Sequence, residues 1–324
     1  MVMAQSLFRL IKQRHPSVRI DVLAPAWTLV LLSRMPEVHE ALDSPFKHGR
    51  LKLMARYRLA CSLRERGYDQ AIVLPNSLKS ALIPFWAKIP VRTGYVGEWR
   101  WGLLNDARYL DKNRLPMTVQ RFVALGVEDG AALPAELPRP SLAVTESGIE
   151  MALTCLGLER PTAPLLALCP GAEFGSSKRW PAEYFAEIAR TKLAQGWQVW
   201  LFGSGKDIAI TAQVRAIAGV ECVDLAGRTT LAEAIDLLSL ADRVVTNDSG
   251  LMHVAAALGR RLIAIYGSSD PGFTPPLGTQ AKAEWLGLSC SPCFQRECPL
   301  GHLRCLRDLK PEQVLRVMDE AAKI

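Results

Sequence analysis

Apolar and polar positions alternate along this chain in two rhythms. Short apolar or β-branched runs at 165–169, 197–202, 222–224, 243–246 and 262–266 have the length and composition of buried strands. Between them, 182–194, 206–217, 231–240 and 251–258 carry apolar residues at helical spacing. Strands that alternate with helices predict a parallel sheet covered by helices on both faces. The first half follows the same scheme less regularly. Residues 1–14 predict an amphipathic helix, with Leu7, Leu10 and Ile11 on one side and Arg9, Lys12 and Arg14 off it. Strands are predicted at 18–23 and 70–74, a strand or turn at 92–97, and helices at 27–34, 78–86 and 116–125. Residues 130–140, rich in Ala and Pro, read as the link between two domains. A helix at 145–156 opens the second domain and one at 311–322 closes it, with Pro311 in the first turn.

Two turns carry candidate chemistry. Residues 247–250, Asn-Asp-Ser-Gly, are turn and helix-cap types between a strand and a small-residue helix. A helix that starts at the carboxyl end of a parallel strand aims free N–H groups and its positive dipole end above the sheet. Ser249 and Gly250 let an anion approach that backbone, and His253 lies one turn on. A plain capped crossover with His253 as a core histidine fits the same residues. The second turn is PGAEFGSSKRWP, 170–181, with Gly171 and Gly175 followed by Lys178 and Arg179. A lysine beside a glycine-containing loop after a strand suits a phosphate group; a solvated lysine is the alternative. The Gly-Lys-Thr ending of a P-loop is absent.

A chain of 324 residues accommodates two α/β domains. An apolar share of 49% with 22% charged residues marks a globular, not a disordered, protein. No apolar run approaches the roughly 20 residues that span a bilayer, and 1–14 lacks the pattern of a secretory signal. A net charge of +7 is compatible with a phosphorylated substrate, an anionic membrane surface or nucleic acid, but no nucleic-acid module is present. Between 45 and 67, Lys47, Arg50, Lys52, Arg56, Arg58, Arg64 and Arg66 stand against the single acid Glu65. This is either a solvated helix face or a surface for phosphate groups.

Asn76, Ser77 and Lys79 fall at the carboxyl end of strand 70–74, where ligands gather in such sheets; Ser77 reads equally as a helix cap. Trp99 and Trp101 are candidates for stacking on a sugar or for packing at a domain seam.

Of eight cysteines, Cys61, Cys155, Cys169 and Cys222 are scattered near apolar segments and read as core thiols. Cys290, Cys293, Cys298 and Cys305 cluster with spacing C-x2-C-x4-C-x6-C. Reduced structural thiols, a structural zinc site and redox chemistry all remain open. The second pair spans a wider gap than a zinc ribbon uses.

PGAEFGSSKRWP (170–181), FGS (202–204), LAG (225–227) and TNDSGLMHVAAAL (246–258) together resemble the ADP-heptose:lipopolysaccharide heptosyltransferase family. PNSLKSALIPF (75–85), RTGYVGEWRWGLLND (92–106) and GSSDPGFTPP (267–276) extend the resemblance over most of the chain. The wording is nearest to the branch that adds the second inner-core heptose. The resemblance implies an α/β protein with two Rossmann-like, doubly wound domains facing across a cleft, the glycosyltransferase-B architecture. Residues 1–140 would bind the acceptor and 141–324 the ADP-sugar, with helix 311–323 placed to pack back on the first domain. The implied reaction moves heptose from ADP-heptose to the inner-core heptose of lipopolysaccharide, with inversion and without metal or cofactor. The implied setting is cytoplasmic, peripheral to the inner membrane, with no nucleic acid as partner.

By the same resemblance, Lys178 stabilises the leaving diphosphate, helped by Ser249, Gly250 and His253. Asp248 would repel phosphate and is expected on sugar hydroxyls or on the helix cap. Gly203, Ser204, Gly227 and Thr229 line the nucleotide side. Asn76, Ser77, Lys79, Arg56 and Arg58 face the acceptor. The family opens with a strand and a glycine-containing loop whose aspartate is the proposed base; in this chain that aspartate would precede Met1. The first strand is therefore expected to be missing and the base is unassigned, with Asp106 and Asp21 the nearest acids. A truncated, catalytically incompetent ADP-sugar-binding remnant is the alternative. An epimerase or dehydrogenase is disfavoured, because no G-x-G-x-x-G follows a strand.

Overall fold

The computed structural model describes residues 1–46 and 51–320. Lys47 and Arg50 of the basic segment, and the end of the closing helix beyond 320, lie outside the described residues. The chain divides into two compact units, Met3–Pro138 and Arg139 onward.

The first unit runs α1 (Gln5–Arg14), β1 (Asp21–Ala24), α2 (Leu29–Leu32), β2 (Glu40–Asp43), α3 (Leu53–Arg64), β3 (Gln70–Val73), α4 (Leu78–Trp86), β4 (Val91–Tyr95), β5 (Asp106–Arg108) and α5 (Thr118–Ala124). Helix α1 buries Leu7 and Leu10, as its spacing predicts, together with Phe8, while Ile11 is half-buried. The parallel strands form two sheets, β1-β2 and β3-β4-β5. Among the described residues, β1 and β3 each have one edge without a strand partner. Strands β2 and β5 were not predicted. Their sequences, EALD and DAR, are too short and polar to read as strands. In β5 the charged ends satisfy each other: Arg108 donates to Asp106 at 2.7 and 3.1 Å, and also to the carbonyls of Ala124 and Val127.

The second unit runs α6 (Glu146–Leu156), β6 (Leu165–Cys169), α7 (Ala182–Ala194), β7 (Gln198–Leu201), α8 (Ile208–Ala218), β8 (Val223–Asp224), α9 (Leu231–Leu238), β9 (Arg243–Asn247), α10 (Gly250–Ala257), β10 (Arg261–Ile265), β11 (Ala281–Glu284), α11 (Arg304–Arg307) and α12 (Pro311–Glu320). Its parallel strands lie in the order β11-β10-β9-β6-β7-β8. The chain lays β6, β7 and β8 outward in one direction, then returns to place β9, β10 and β11 in the other. This is a doubly wound sheet with its switch point between β6 and β9. Strands β6 and β9 are buried along their whole length, as their apolar runs require. The polar edge strand β11, AKAE, had no strand signal.

Local chemistry sets the helix starts. Thr145 caps α6 through the Gly148 amide at 3.1 Å, and Thr230 with Glu233 forms a capping box at the start of α9. Helix α12 closes the second unit. It packs on α7 and β10, with Val314 and Met318 in the core of the second unit alongside Leu166, Phe185 and Ile265. Its apolar positions are therefore used inside the second unit.

Candidate functional site

The loops that follow β6 and β9 meet at the switch point, where an open α/β sheet leaves a crevice beyond the carboxyl ends of its strands. Asn247, the buried last residue of β9, fastens them together. Its Oδ1 accepts from the Trp180 amide at 3.0 Å and its Nδ2 donates to the Pro170 carbonyl at 2.7 Å. Trp180 is itself fully buried, with Nε1 donating to the Leu309 carbonyl at 2.9 Å. Both ends of the 170–180 loop are thus pinned by one amide side chain.

The loop places Lys178 beside Asp248. The ammonium lies 2.5 Å from Asp248 Oδ2, which also accepts from the Ser269 hydroxyl at 2.5 Å. The Lys178 ammonium also sits 4.9 Å from the centre of the Phe174 ring. Asp248 was expected on sugar hydroxyls or on the helix cap. In the structure its Oδ2 accepts from Lys178 and Ser269, and no bond from its carboxylate to the helix start is seen among the described residues.

Ser249 is the N-cap residue of α10 in extended conformation, but its side chain makes no capping hydrogen bond. Gly250 is exposed, and a Cβ there would meet nothing within 4 Å. The start of α10 is therefore exposed at Gly250 and lacks a side-chain cap. His253, one turn on, is half-buried. Burial pushes its imidazole down to about 4, against a smaller upward pull from Asp248, so it is neutral at pH 7. It joins the site as a neutral hydrogen-bonding group, not as a cation.

The segment 291–296 braces these loops from behind. The Ser177 amide donates to the Arg296 carbonyl at 3.2 Å, and its hydroxyl donates to the Gln295 carbonyl. The Ser268 carbonyl accepts from the amides of Cys293 and Phe294 at 3.1 and 2.7 Å, and Ser177 and Ser268 share a hydroxyl contact at 2.9 Å. The chains approach so closely that a Cβ on Gly175 would lie 2.2 Å from the Arg296 carbonyl oxygen.

Of the cysteine cluster, Cys293 belongs to this brace. All eight cysteines are free thiols. No three of the clustered sulfurs come within 4.8 Å of one another; among the described residues only Asp21, His39 and Glu40 bring three such ligand atoms that close. That trio already has partners: Arg66 donates to Glu40 at 2.6 Å and the Tyr68 hydroxyl to Asp21 at 2.6 Å. Burial, reinforced by the neighbouring thiols, pushes Cys305 up to about 11.

The nucleotide-side residues gather one strand over. Gly203 and Ser204 follow β7, and the Gly227 amide donates to the Gly203 carbonyl at 3.0 Å. Asp207 organises them, accepting from the Ser204 amide and hydroxyl at 2.9 and 2.7 Å. A Cβ on Gly171 would fall 2.4 Å from the Asp207 carboxyl carbon, and one on Gly203 would fall 2.7 Å from the Asp207 Cβ. Thr229 is half-buried, next to the capping residue Thr230. Asp207, Ser268 and Ser269 escaped the sequence reading. Their position just past β7 and β10 was the available signal.

In the first unit, Arg56 is corrected. It is 5% exposed, with its guanidinium 4.0 Å over the Phe46 ring and bonds to the carbonyls of Leu51 and Lys79. It is a packing residue. Arg58 is exposed, and Arg64 and Arg66 are tied to the Trp86 carbonyl and to Glu40. Asn76 is exposed beyond β3. Ser77 takes the N-cap position of α4 without a cap bond; the carboxylate of Glu98 accepts from the Leu78 amide instead, at 3.0 Å. Lys79 is half-buried in the first turn.

The two acids nominated as bases do not suit the task. Asp106 is held ionised, well below the usual carboxylate range, by its bonds to Arg108 and Thr93. Asp21 accepts from Tyr68 and sits 3.1 Å from His39 Nδ1. Each stands at the amino end of its strand, whereas ligands gather at the carboxyl ends of strands in such sheets.

Parallel sheets, a switch-point crevice and a cation beside a helix N-terminus suit a phosphate-bearing ligand, and the family pattern that the chain matches makes it a glycosyltransferase. The chain belongs to glycosyltransferase family 9 (heptosyltransferase), whose pattern matches residues 56–304. It is 49% identical to lipopolysaccharide heptosyltransferase 2 of Salmonella typhimurium, over 97% of this chain and 93% of that protein. It is 46% identical to lipopolysaccharide heptosyltransferase 2 of Escherichia coli K12, over 98% and 94%. Its structure is similar to that of E. coli ADP-heptose lps heptosyltransferase II, with a TM-score of 0.88 at 43% identity, covering 99% of this chain and 94% of that one.

Proposed function

We propose that this protein transfers heptose from ADP-heptose to the heptose already present on the inner core of lipopolysaccharide, inverting the anomeric centre without a metal ion. The observation that carries this reading is the Lys178–Asp248 pair beside the uncapped start of α10, in a chain so similar to heptosyltransferases 2. The similarity favours an active transferase over an ADP-sugar-binding remnant.

In this reading the second unit holds the donor. The ammonium of Lys178 carries three N–H groups, of which Asp248 takes one. The others, with the amides of Gly250 and Leu251, meet the diphosphate as it gains charge on leaving. Ser249 and neutral His253 donate alongside. Gly203, Ser204, Gly227 and Thr229 border the nucleoside. The first unit takes the acceptor, with Asn76, Ser77 and Lys79 at the carboxyl edge of β3.

The acceptor is a lipid, and among the described residues no helix is long and apolar enough to cross a membrane. The protein works on the cytoplasmic face of the inner membrane as a peripheral enzyme, with Arg58 and Arg64 toward anionic groups. The test is incubation with ADP-heptose and a lipopolysaccharide core ending in one heptose, followed by mass spectrometry. One added heptose, with ADP released in equal amount, is expected. No addition while ADP-heptose stays intact overturns the reading.

A further inference from the structure

The loops that follow the three adjacent strands β3, β4 and β5 emerge at one edge of their sheet. They present three large aromatic side chains that nothing in the unit covers. Trp99 is 87% exposed, Trp101 60% and Tyr109 73%. Scattered single apolar residues on a surface need no explanation, but neighbouring indole and phenol rings at the ligand-binding edge do. Trp101 and Tyr109 lie together, ring centres 6.1 Å apart and inclined at 52°.

The loop is built to hold this display. Arg100, between the two tryptophans, turns inward and is 1% exposed. Its guanidinium donates to the Pro75 carbonyl at 2.7 Å, to the Tyr95 carbonyl and to Asn76 Oδ1 at 3.4 Å. Glu98, one residue before Trp99, accepts from the Leu78 amide. A Cβ on Gly97 would already lie 3.0 Å from the Asn76 carbonyl. The 97–102 turn is thus locked onto the 75–78 loop. Trp99 takes a left-handed backbone, φ 50°. A bulky residue rarely adopts that conformation, and it persists mostly where surrounding structure enforces it at a working surface. A burial-driven loop would have turned the tryptophans in and the arginine out.

We propose that Trp99, Trp101 and Tyr109 form an aromatic ledge that takes the apolar C–H face of an acceptor sugar ring, with Asn76 alongside for its hydroxyls. The assignment rests on the reading of the first unit as the acceptor side. A pyranose has an apolar face and a polar rim, and exposed aromatic faces bordered by an amide match both. The ledge would set which sugar of the core is presented for transfer. The donor would not touch it.

The test uses a deacylated core oligosaccharide ending in one heptose, so that no bilayer takes part. Trp99→Ala and Trp101→Ala are each expected to raise the oligosaccharide KM roughly 2- to 10-fold. The kcat at saturating oligosaccharide and the affinity for ADP should stay unchanged. Trp99→Phe should recover most of the loss. Both residues are exposed, so the variants should fold, and unchanged ADP binding verifies it. The proposal is overturned if the double alanine variant keeps the wild-type KM. It is equally overturned if the variant's sole defect is lost binding to anionic phospholipid vesicles, or a changed oligomeric state. Should the wild-type protein transfer no heptose, the functional reading fails. The ledge is then judged by tryptophan fluorescence on titration with the oligosaccharide, where no change in wild type refutes it.

Discussion

Lys178 Nζ lies 2.5 Å from Asp248 Oδ2, across the switch point between β6 and β9. Both groups are largely shielded from solvent, so the pair is more than a surface ion pair. Lys178→Met should weaken ADP binding by roughly 10- to 100-fold, since a charge-assisted contact is worth about 1.5–3 kcal/mol. Asp248→Asn should also weaken it, by releasing the ammonium from its position. Calorimetry on the two single variants and the double should show coupling of about 1 kcal/mol or more. Additive losses would mean that Asp248 does not orient Lys178.

Asn247 should matter for stability more than for contact with ligand. Asn247→Ala removes both bonds that pin the 170–180 loop and leaves the buried Trp180 amide and Pro170 carbonyl unsatisfied. The expected cost is about 2–4 kcal/mol. For a unit of this size that lowers the melting temperature by roughly 4–16 °C. A variant that melts with the wild type would show that other contacts hold the loop.

Gly175→Ala should displace the brace. Its Cβ would collide with backbone, the Arg296 carbonyl, which has no side-chain freedom to yield. The 175–178 loop must move, carrying Lys178 with it. ADP affinity is expected to fall at least as far as in Lys178→Met, and protease cleavage within 290–300 should become faster. Wild-type affinity in Gly175→Ala would separate the brace from the site.

His253 gives a pH signature. Its folded-state value, about 4, lies below the ordinary 6.5, so the unfolded chain binds the proton more readily. Stability of the second unit should therefore be full above about pH 6.5 and decline as pH falls toward 4, by up to about 3 kcal/mol. Denaturant melts at pH 7.5 and 5 should differ in wild type and differ less in His253→Gln. An equal pH dependence in the two proteins would assign the decline to other groups.

The first unit should open more easily than the second. Strands β1 and β3 each have one unpaired edge among the described residues, whereas β6 and β9 are paired on both sides. Unpaired edges leave backbone groups to water. Amide hydrogen exchange should be slowest in β6 and β9 and clearly faster in β1 and β3. Equal protection would mean that the open edges are covered.

Much of the second unit was legible from sequence because most of its strands are short, largely apolar and bounded by glycine, proline or cap residues. The runs LLALC and RLIAI can hardly be anything else, and Thr230 with Glu233 announces α9. The two loops that the structure brings together in the candidate site also stand out in the sequence, through Gly175, Lys178, Ser249 and Gly250. What was not legible are pairings between distant segments. Nothing near Asp248 tells that its carboxylate takes Lys178, 70 positions away, and nothing near Arg56 tells that it folds onto Phe46. Strands β2, β5 and β11 escaped because edge strands carry polar residues that periodicity cannot separate from loops. Arg100 illustrates the same limit: its charge predicts exposure, while its three backbone and side-chain acceptors bury it.

The most direct measurement of the central claim is an electron-density map of the protein crystallised with ADP. A diphosphate is expected in the switch-point crevice, within hydrogen-bond distance of Lys178 Nζ and of the Gly250 and Leu251 amides. A diphosphate seated elsewhere, with the first turn of α10 facing only water, would contradict it.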